Sequence, residues 1–293
     1  MATDWCEHSV YLPAGTRREI NAVTDDLVGM AVSRVAERLR DIRALYVGGS
    51  LARREPAVRS GWPPRLVSDI DVIAVLGADG RTDTASVLAA ERAVSGEITQ
   101  AKVGLVAVAV DHVERASSFF AVDLSAAMRL PVRGSVNERK APLRLRRRDR
   151  IELIVHQVSS VLLQSLSGAA TRDYLLRPDA GYHTVKLPLE CLRALLAEPN
   201  GDGCSYASVF EMRHDALCRS VLPASLVERL IRRRELFGAD RTRLPDGRGV
   251  VTRVLAAVFD TVPDTLVVVQ RILDEVAALP DPLSVYQATC LVL

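Results

Sequence analysis

The chain of 293 residues is long enough for one large or two ordinary domains. With 48% hydrophobic and 25% charged residues, the composition excludes global disorder and supplies ample material for packed cores. A formal net charge of +2 is too close to balance for a dedicated nucleic-acid binder, so we expect no nucleic-acid partner.

The cysteines and the apolar segments bear on the compartment. The five cysteines are scattered and form no CxxC pair, which argues against a disulfide framework or a zinc knuckle. The N-terminus lacks the basic start and apolar run of a signal peptide. No apolar stretch approaches the roughly 20 residues that cross a bilayer. We therefore expect a soluble, cytoplasmic protein without a membrane partner.

The first half of the chain alternates helical and strand-like patterns, which indicates a small α/β unit with a sheet. Apolar residues recur at helical spacing in three segments and form short runs typical of strands in three others. In chain order the patterns predict a helix at Thr16–Arg40, a strand at Ala44–Val47, a loop at Leu51–Leu66, a strand at Asp69–Leu76, a helix at Thr84–Ser95, a strand at Val103–Val110 and a helix at Phe119–Met128.

A basic connection leads into the second half. Its run from Arg139 to Arg150 is either a solvated linker or a basic wall for a polyanion. Asp149 and Glu152 have the spacing of a helix cap. The patterns beyond predict helices at Ile151–Leu166, Tyr182–Leu196, Ser205–Cys218, Pro223–Phe237, Val250–Phe259 and Val268–Leu279. The sequence thus predicts an α+β protein, with a small mixed sheet and flanking helices in residues 1–144 and an all-α helical bundle in residues 145–293.

Two short motifs on successive predicted strands carry the chemistry. Gly48, Gly49 and Ser50 end the first strand, where glycines let the backbone turn sharply and approach a phosphate. Asp69 and Asp71 open the next strand, and side-chain alternation directs both carboxylates to one face. Two carboxylates so close repel each other unless a cation lies between them. Mg²⁺, which takes oxygen ligands and leaves room for phosphate, fits this role.

Together these motifs resemble those of the DNA polymerase β-like nucleotidyltransferase superfamily, whose members place Gly-Ser after one strand and Asp-x-Asp on the next. Arg53 and Glu55 add to the likeness, which covers residues 44 to 76 well. The resemblance implies a nucleotidyltransferase catalytic domain in residues 1–144. It implies that Asp69 and Asp71 bind Mg²⁺, with room for two ions, and that Gly48, Gly49, Ser50 and Arg53 bind the nucleoside triphosphate.

The chain departs from the family's pattern in two places. The spacer between Ser50 and Asp69 is long and contains Trp62, so we interpret it as a loop inserted over the site. Family members also carry a third carboxylate on the following strand, where it can deprotonate the attacking hydroxyl. The equivalent position here is Gly104. Candidates to replace that carboxylate are Glu97, Asp111 and Asp123, and we favour Asp111 as the catalytic residue because it lies at the strand end.

Lys186 opens a predicted helix in the second half. Related small-molecule nucleotidyltransferases often have a lysine in the first segment of their helical domain, facing the triphosphate. The resemblance therefore implies that Lys186 contacts the β- and γ-phosphates as a point charge. A solvated helix lysine is the alternative.

The resemblance implies Mg²⁺-dependent transfer of a nucleoside monophosphate to a hydroxyl, with release of pyrophosphate. A helical second domain and weak basicity favour a small-molecule acceptor. Two alternatives remain: a degenerate member that binds nucleotide or a partner without transfer, because of Gly104, and transfer to a protein or tRNA, because of the basic run. The identity of the acceptor, the preferred triphosphate and the oligomeric state are left open.

Overall fold

The computed structural model describes residues 3–59, 63–77, 84–115, 119–136, 143–170, 182–201, 204–237, 247–261, 264, 267–268 and 270–271. Its contacts divide the chain into two compact units. The first comprises residues 1–144 together with 235–240, and the second comprises 145–234 and 241–293. The sequence analysis had left residues 235–240 with the second domain.

The first unit is mixed α+β and centres on a four-stranded sheet in the order β5-β4-β1-β6. Strand β1 is antiparallel to both its neighbours, whereas β4 and β5 are parallel. Its helices and strands are α1 (Ala14–Arg38), β1 (Ile42–Val47), α2 (Gly49–Ala52), β2 (Val58–Arg59), β3 (Arg65–Leu66), β4 (Ile70–Leu76), α3 (Thr84–Glu97), β5 (Val103–Ala109), α4 (Val110–Arg115), α5 (Phe119–Met128) and β6 (Pro131–Gly134).

Both faces of this sheet are packed, which explains why its central strands are almost continuously apolar. On one face, Val47 and Val72 contribute to a core that also contains side chains of α1 and α3. On the other face, Tyr46 and Ile73 pack with Leu124 of α5. Asp71 has the same strand parity as Ile73, so it lies at the end of the face that α5 covers.

A second, three-stranded sheet has the order β3-β2-β7, where β7 (Leu236–Phe237) runs parallel to β2. Beside it, the carboxylate of Glu235 accepts hydrogen bonds from the backbone N–H groups of Val10 (2.9 Å) and Tyr11 (2.6 Å). Glu235 is buried. These contacts fix the segment at 235–237 to the N-terminal part of the chain.

The described residues of the second unit form only helices and their connections. Among its buried polar groups is Glu190, whose carboxylate accepts hydrogen bonds from Arg193 (2.8 Å) and from the Tyr206 hydroxyl. Arg193 also donates to the carbonyl of Cys204 (2.6 Å), and the Arg234 guanidinium stacks on the Tyr206 ring. The helices are α6 (Arg147–Ala170), α7 (Tyr182–Leu196), α8 (Tyr206–Glu211), α9 (Ala216–Val221), α10 (Ala224–Glu235) and α11 (Gly247–Phe259).

Some predicted elements differ from the structure. The single helix predicted at Ser205–Cys218 is α8, a 3₁₀ turn and α9, because Asp215 adopts an extended backbone with ψ of 148°. Helix α6 begins four residues earlier than predicted, so Asp149 lies inside its first turn, where the carboxylate accepts from the Arg146 N–H (2.7 Å). Strands β2, β3, β6 and β7 were not predicted. The segment predicted as a loop at Leu51–Leu66 contains the end of α2 as well as β2 and β3, and β7 replaces the end of the helix predicted at Pro223–Phe237.

Some predicted features fall on residues that the structure does not describe. Trp62 of the spacer and most of the helix predicted at Val268–Leu279 lie outside the described residues. Among the helices that are described, none combines the length and apolarity needed to cross a bilayer.

Candidate functional site

The turn after β1 is built from two glycines with different constraints. Gly49 has a φ of +61°, in the left-handed region that favours glycine. Gly48 has an ordinary φ of −99°, and its N–H donates to the carbonyl of Asp71 (2.7 Å). The turn is thereby joined to the first residues of β4, and α2 begins at once.

The Asp71 carboxylate lies against glycines on both sides. A Cβ added to Gly49 would lie 2.3 Å from Asp71 Oδ2, and a Cβ added to Gly104 would lie 2.8 Å from Asp71 Oδ1. The register pairs Asp71 with Gly104 on β5. The carboxylate therefore occupies space that side chains at these two positions would take.

Asp69 precedes β4 and forms an ion pair with Lys102, whose Nζ lies 3.0 Å from Asp69 Oδ2. Asp69 is one-third exposed and Lys102 two-thirds exposed. The pKa of Lys102 is raised: partial burial opposes its charged form, but the charges of Asp69, Asp71 and Glu91 outweigh that effect. Sequence analysis missed Lys102. Its spacing of two residues from Gly104, on a strand that pairs with β4, was the available signal.

Ser50 takes part in a hydroxyl chain behind the turn. Its hydroxyl donates to Ser68 Oγ (2.8 Å), and Ser68 also accepts from the Ala57 N–H (2.8 Å). Ser68 is buried and Ser50 is half-buried. This bond uses the single proton of the Ser50 hydroxyl, so donation to a phosphate requires the hydroxyl to rotate.

Arg53 lies in a buried ion-pair cluster. Its Nε donates to Glu55 Oε1 and its Nη1 to Asp123 Oδ1, both at 2.7 Å. Glu55 is fully buried and Arg53 nearly so. These bonds tie the end of α2 to α5 and give both Arg53 and Asp123 a positioning role within the fold. The arginine of the Arg-x-Glu motif therefore bonds to the motif's own glutamate and to Asp123 of α5.

The other two candidates for a third carboxylate lie elsewhere. Glu97 forms ion pairs with Arg34 and Arg38 on the surface. Asp111 lies in the first turn of α4, beyond the far end of β5. Because β4 and β5 run parallel, Ala109 is already roughly 16 Å along the strand from Gly104, and Asp111 follows it. We therefore do not include Asp111 in the site with Asp69 and Asp71.

Lys186 belongs to α7 in the second unit, where it is half-buried. Its charge lowers the pKa of His156, after the larger effect of desolvation. Lys186 and the glycine turn belong to different units, so the contact of Lys186 with phosphate stays a prediction.

The basic run makes structural contacts where the structure describes it. Arg150 donates to the carbonyls of Ala194, Leu195 (3.0 Å) and Ala197 (2.5 Å) at the end of α7. Arg148 pairs with Glu152 (2.8 Å). Residues 137–142, which include Arg139 and Lys140, lie outside the described residues. The described contacts tie helix ends together within the second unit.

The donor set suits one hard divalent cation. Asp69 and Asp71 offer carboxylate oxygens on one face, and Mg²⁺ is commonly held by one or two carboxylates plus phosphates and water. The Lys102 ammonium beside them shows that the pair attracts positive charge. In the described part of the chain, no group of three or more His, Cys, Asp or Glu residues could hold a metal. A cation bound by Asp69 and Asp71 would therefore need its remaining ligands from phosphate or water.

Comparisons of the chain with family models, with curated proteins and with solved structures found no match.

Proposed function

We propose that the first unit has a nucleotidyltransferase-type fold and binds a magnesium–nucleoside triphosphate complex at Gly48, Gly49, Ser50, Asp69 and Asp71. The single observation that carries this proposal is the fit of the Asp71 carboxylate against Gly49, which has a positive φ. A backbone turn and a metal-binding carboxylate in direct contact are what joint binding of phosphate and cation requires.

In the proposed reaction, a nucleoside monophosphate is transferred to a hydroxyl of a small-molecule acceptor, pyrophosphate leaves, and the hydroxyl proton passes to solvent. The backbone N–H groups of the turn hold phosphate oxygens, and Asp69 and Asp71 hold the cation. A bound magnesium ion would neutralise phosphate charge as it accumulates. We assign the acceptor to the small-molecule class because Arg150 and Arg148 of the basic run already contact the end of α7 and Glu152.

A second candidate function is nucleotide binding without transfer. The observation that favours it is Gly104, which pairs with Asp71 where the third carboxylate would lie and offers no side chain to accept a proton. In this case the protein would bind nucleotide and act through a partner.

We further propose that the second unit is a helical bundle and that the protein acts in the cytoplasm. Helices α6, α7 and α11 of the second unit support the first point. Cys6, Cys191, Cys204 and Cys218 are free buried thiols, a state typical of a reducing compartment.

The test is isothermal titration with ATP, GTP, CTP and UTP, each with and without Mg²⁺. We expect one nucleotide to bind in a metal-dependent way. Asp69→Asn combined with Asp71→Asn should weaken that binding at least about tenfold, because charge-assisted contacts are lost. Glu97→Gln, which alters a surface ion pair, is the matched control. Unchanged binding in the double variant would contradict the proposed site.

Pyrophosphate release with a panel of hydroxyl-bearing small molecules then separates the two candidate functions. Release that depends on Asp69 and Asp71 supports transfer. Metal-dependent nucleotide binding without release from any acceptor supports the second candidate.

A further inference from the structure

Lys102 is held beside the carboxylate pair by the backbone of the sheet. The Ile70 N–H donates to the Lys102 carbonyl (2.8 Å), and Ile70 pairs with Val103 in the parallel register. Strand alternation places Lys102 and Gly104 on the same side as Asp69 and Asp71. Each aspartate therefore has one neighbour from this part of the chain: the ammonium of Lys102, just before β5, lies next to Asp69, and Gly104 of β5 lies next to Asp71.

The charges on this face limit the number of cations it can hold. Asp69 and Asp71 bring two negative charges, and the Lys102 ammonium lies 3.0 Å from an oxygen of Asp69. A second divalent ion would need further carboxylate oxygens, and Gly104 supplies none. It would also lie close to a fixed positive charge, which repels it. One divalent ion offsets the net negative charge of this face, whereas two would leave a large positive charge.

We infer that the Lys102 ammonium takes the place of a second metal ion beside Asp69 and Asp71. The site therefore binds one divalent ion. This inference rests on the proposed function for the site itself and adds its cation stoichiometry. Lys102 is a positioning residue: its ion pair holds the Asp69 carboxylate in place, and its positive charge reduces the net negative charge around the bound ion.

The test is titration of the full chain with Mn²⁺ alone, followed calorimetrically. Lys102→Met removes a positive charge that competes with the ion, so it should bind Mn²⁺ about two- to fivefold more tightly than the wild type, as expected for a partly exposed ion pair. Lys102→Gln should behave in the same way. Lys102→Arg keeps the charge and should match the wild type.

Arg92→Met is the matched control, since it removes one exposed positive charge from α3 of the same unit. Its Mn²⁺ affinity should stay at the wild-type value, which excludes an effect of net charge. The wild type should bind one Mn²⁺ per chain, both alone and with a non-hydrolysable triphosphate analogue. Melting curves in EDTA verify that each variant is folded.

Two ions per wild-type chain would overturn the inference, and so would Mn²⁺ affinity that is unchanged or weaker in both Lys102→Met and Lys102→Gln. Failure of the proposed function has a different signature. In that case Mn²⁺ binds as described above, but no triphosphate or triphosphate analogue binds to the wild type.

Discussion

A buried ion pair in the second unit contrasts with an exposed ion pair in the first. In the second unit, Glu190 and Arg193 are almost completely buried and their polar atoms bond to neighbours within the unit. In the first unit, Asp69 and Lys102 form an ion pair that is one-third and two-thirds exposed. Buried charges that bond to one another are costly to separate, whereas an exposed pair is easily exchanged for another ion. The contrast separates charges that hold the fold from charges that solvent can reach.

The first unit contains both kinds of charge within a short stretch of chain. Arg53 and Glu55 are buried like the cluster of the second unit, although they come soon after the glycine turn. Proximity to a motif is therefore a poor guide to a residue's role. Burial and the partners of each charged group distinguish the two roles better.

The largest effect is expected at the centre of the second unit. Glu190→Ala leaves Arg193 buried without its carboxylate and removes the acceptor of the Tyr206 hydroxyl, so unfolding free energy should fall by about 4 kcal/mol. Glu152→Ala, which breaks the exposed pair with Arg148, should cost about 0.5 kcal/mol or less. Urea unfolding followed by circular dichroism measures both. Equal losses would remove the contrast between buried and exposed charges.

The next effect tests whether Arg53 belongs to the fold or to the ligand. Arg53→Met leaves the fully buried Glu55 carboxylate without its ion pair, and we expect a loss of about 3 kcal/mol in unfolding free energy. Arg34→Met, which alters an exposed pair, is the control and should leave the unfolding free energy nearly unchanged. Loss of nucleotide affinity at unchanged stability would instead assign Arg53 to nucleotide binding.

The smallest effect on stability is expected at the turn, where the effect on binding should be large. Gly49→Ala forces a side chain into left-handed backbone and against Asp71 Oδ2, at a cost of about 2 kcal/mol. The displaced carboxylate should abolish metal-dependent nucleotide binding in titrations. Gly96→Ala on α3 is the matched control, because a Cβ added to Gly96 meets no atom within 4 Å. Equal binding in both variants would contradict a role for the Asp71 position.

Regular apolar spacing along the sequence predicted the helices that such spacing determines. Helix α5 spans Phe119–Met128 and α7 spans Tyr182–Leu196, as the apolar spacing predicted. Strands β2, β3, β6 and β7 escaped prediction because they are two to four residues long and exist through pairing with other strands. The break at Asp215 is likewise a matter of backbone conformation that no strong helix-breaking residue marks.

In the candidate site, the motif residues could be predicted from sequence, but their partners from distant parts of the chain could not. Two motifs gave the aspartates and glycines, and strand alternation gave their common face. The partners of Arg53 could not be read from sequence, since Asp123 lies on a helix 70 positions further along the chain. Lys102 required the parallel register of β4 and β5, which is a property of the folded sheet.

The pairing of β7 with β2 has a consequence for synthesis of the protein. A ribosome releases residues 1–144 long before residues 235–237, so the first unit waits for its last strand and for the Glu235 carboxylate while the intervening chain is made. A truncation at residue 144 would leave the N–H groups of Val10 and Tyr11 without that acceptor. The contacts of the chain therefore divide it into two units, but the first unit is completed only after most of the second has been translated.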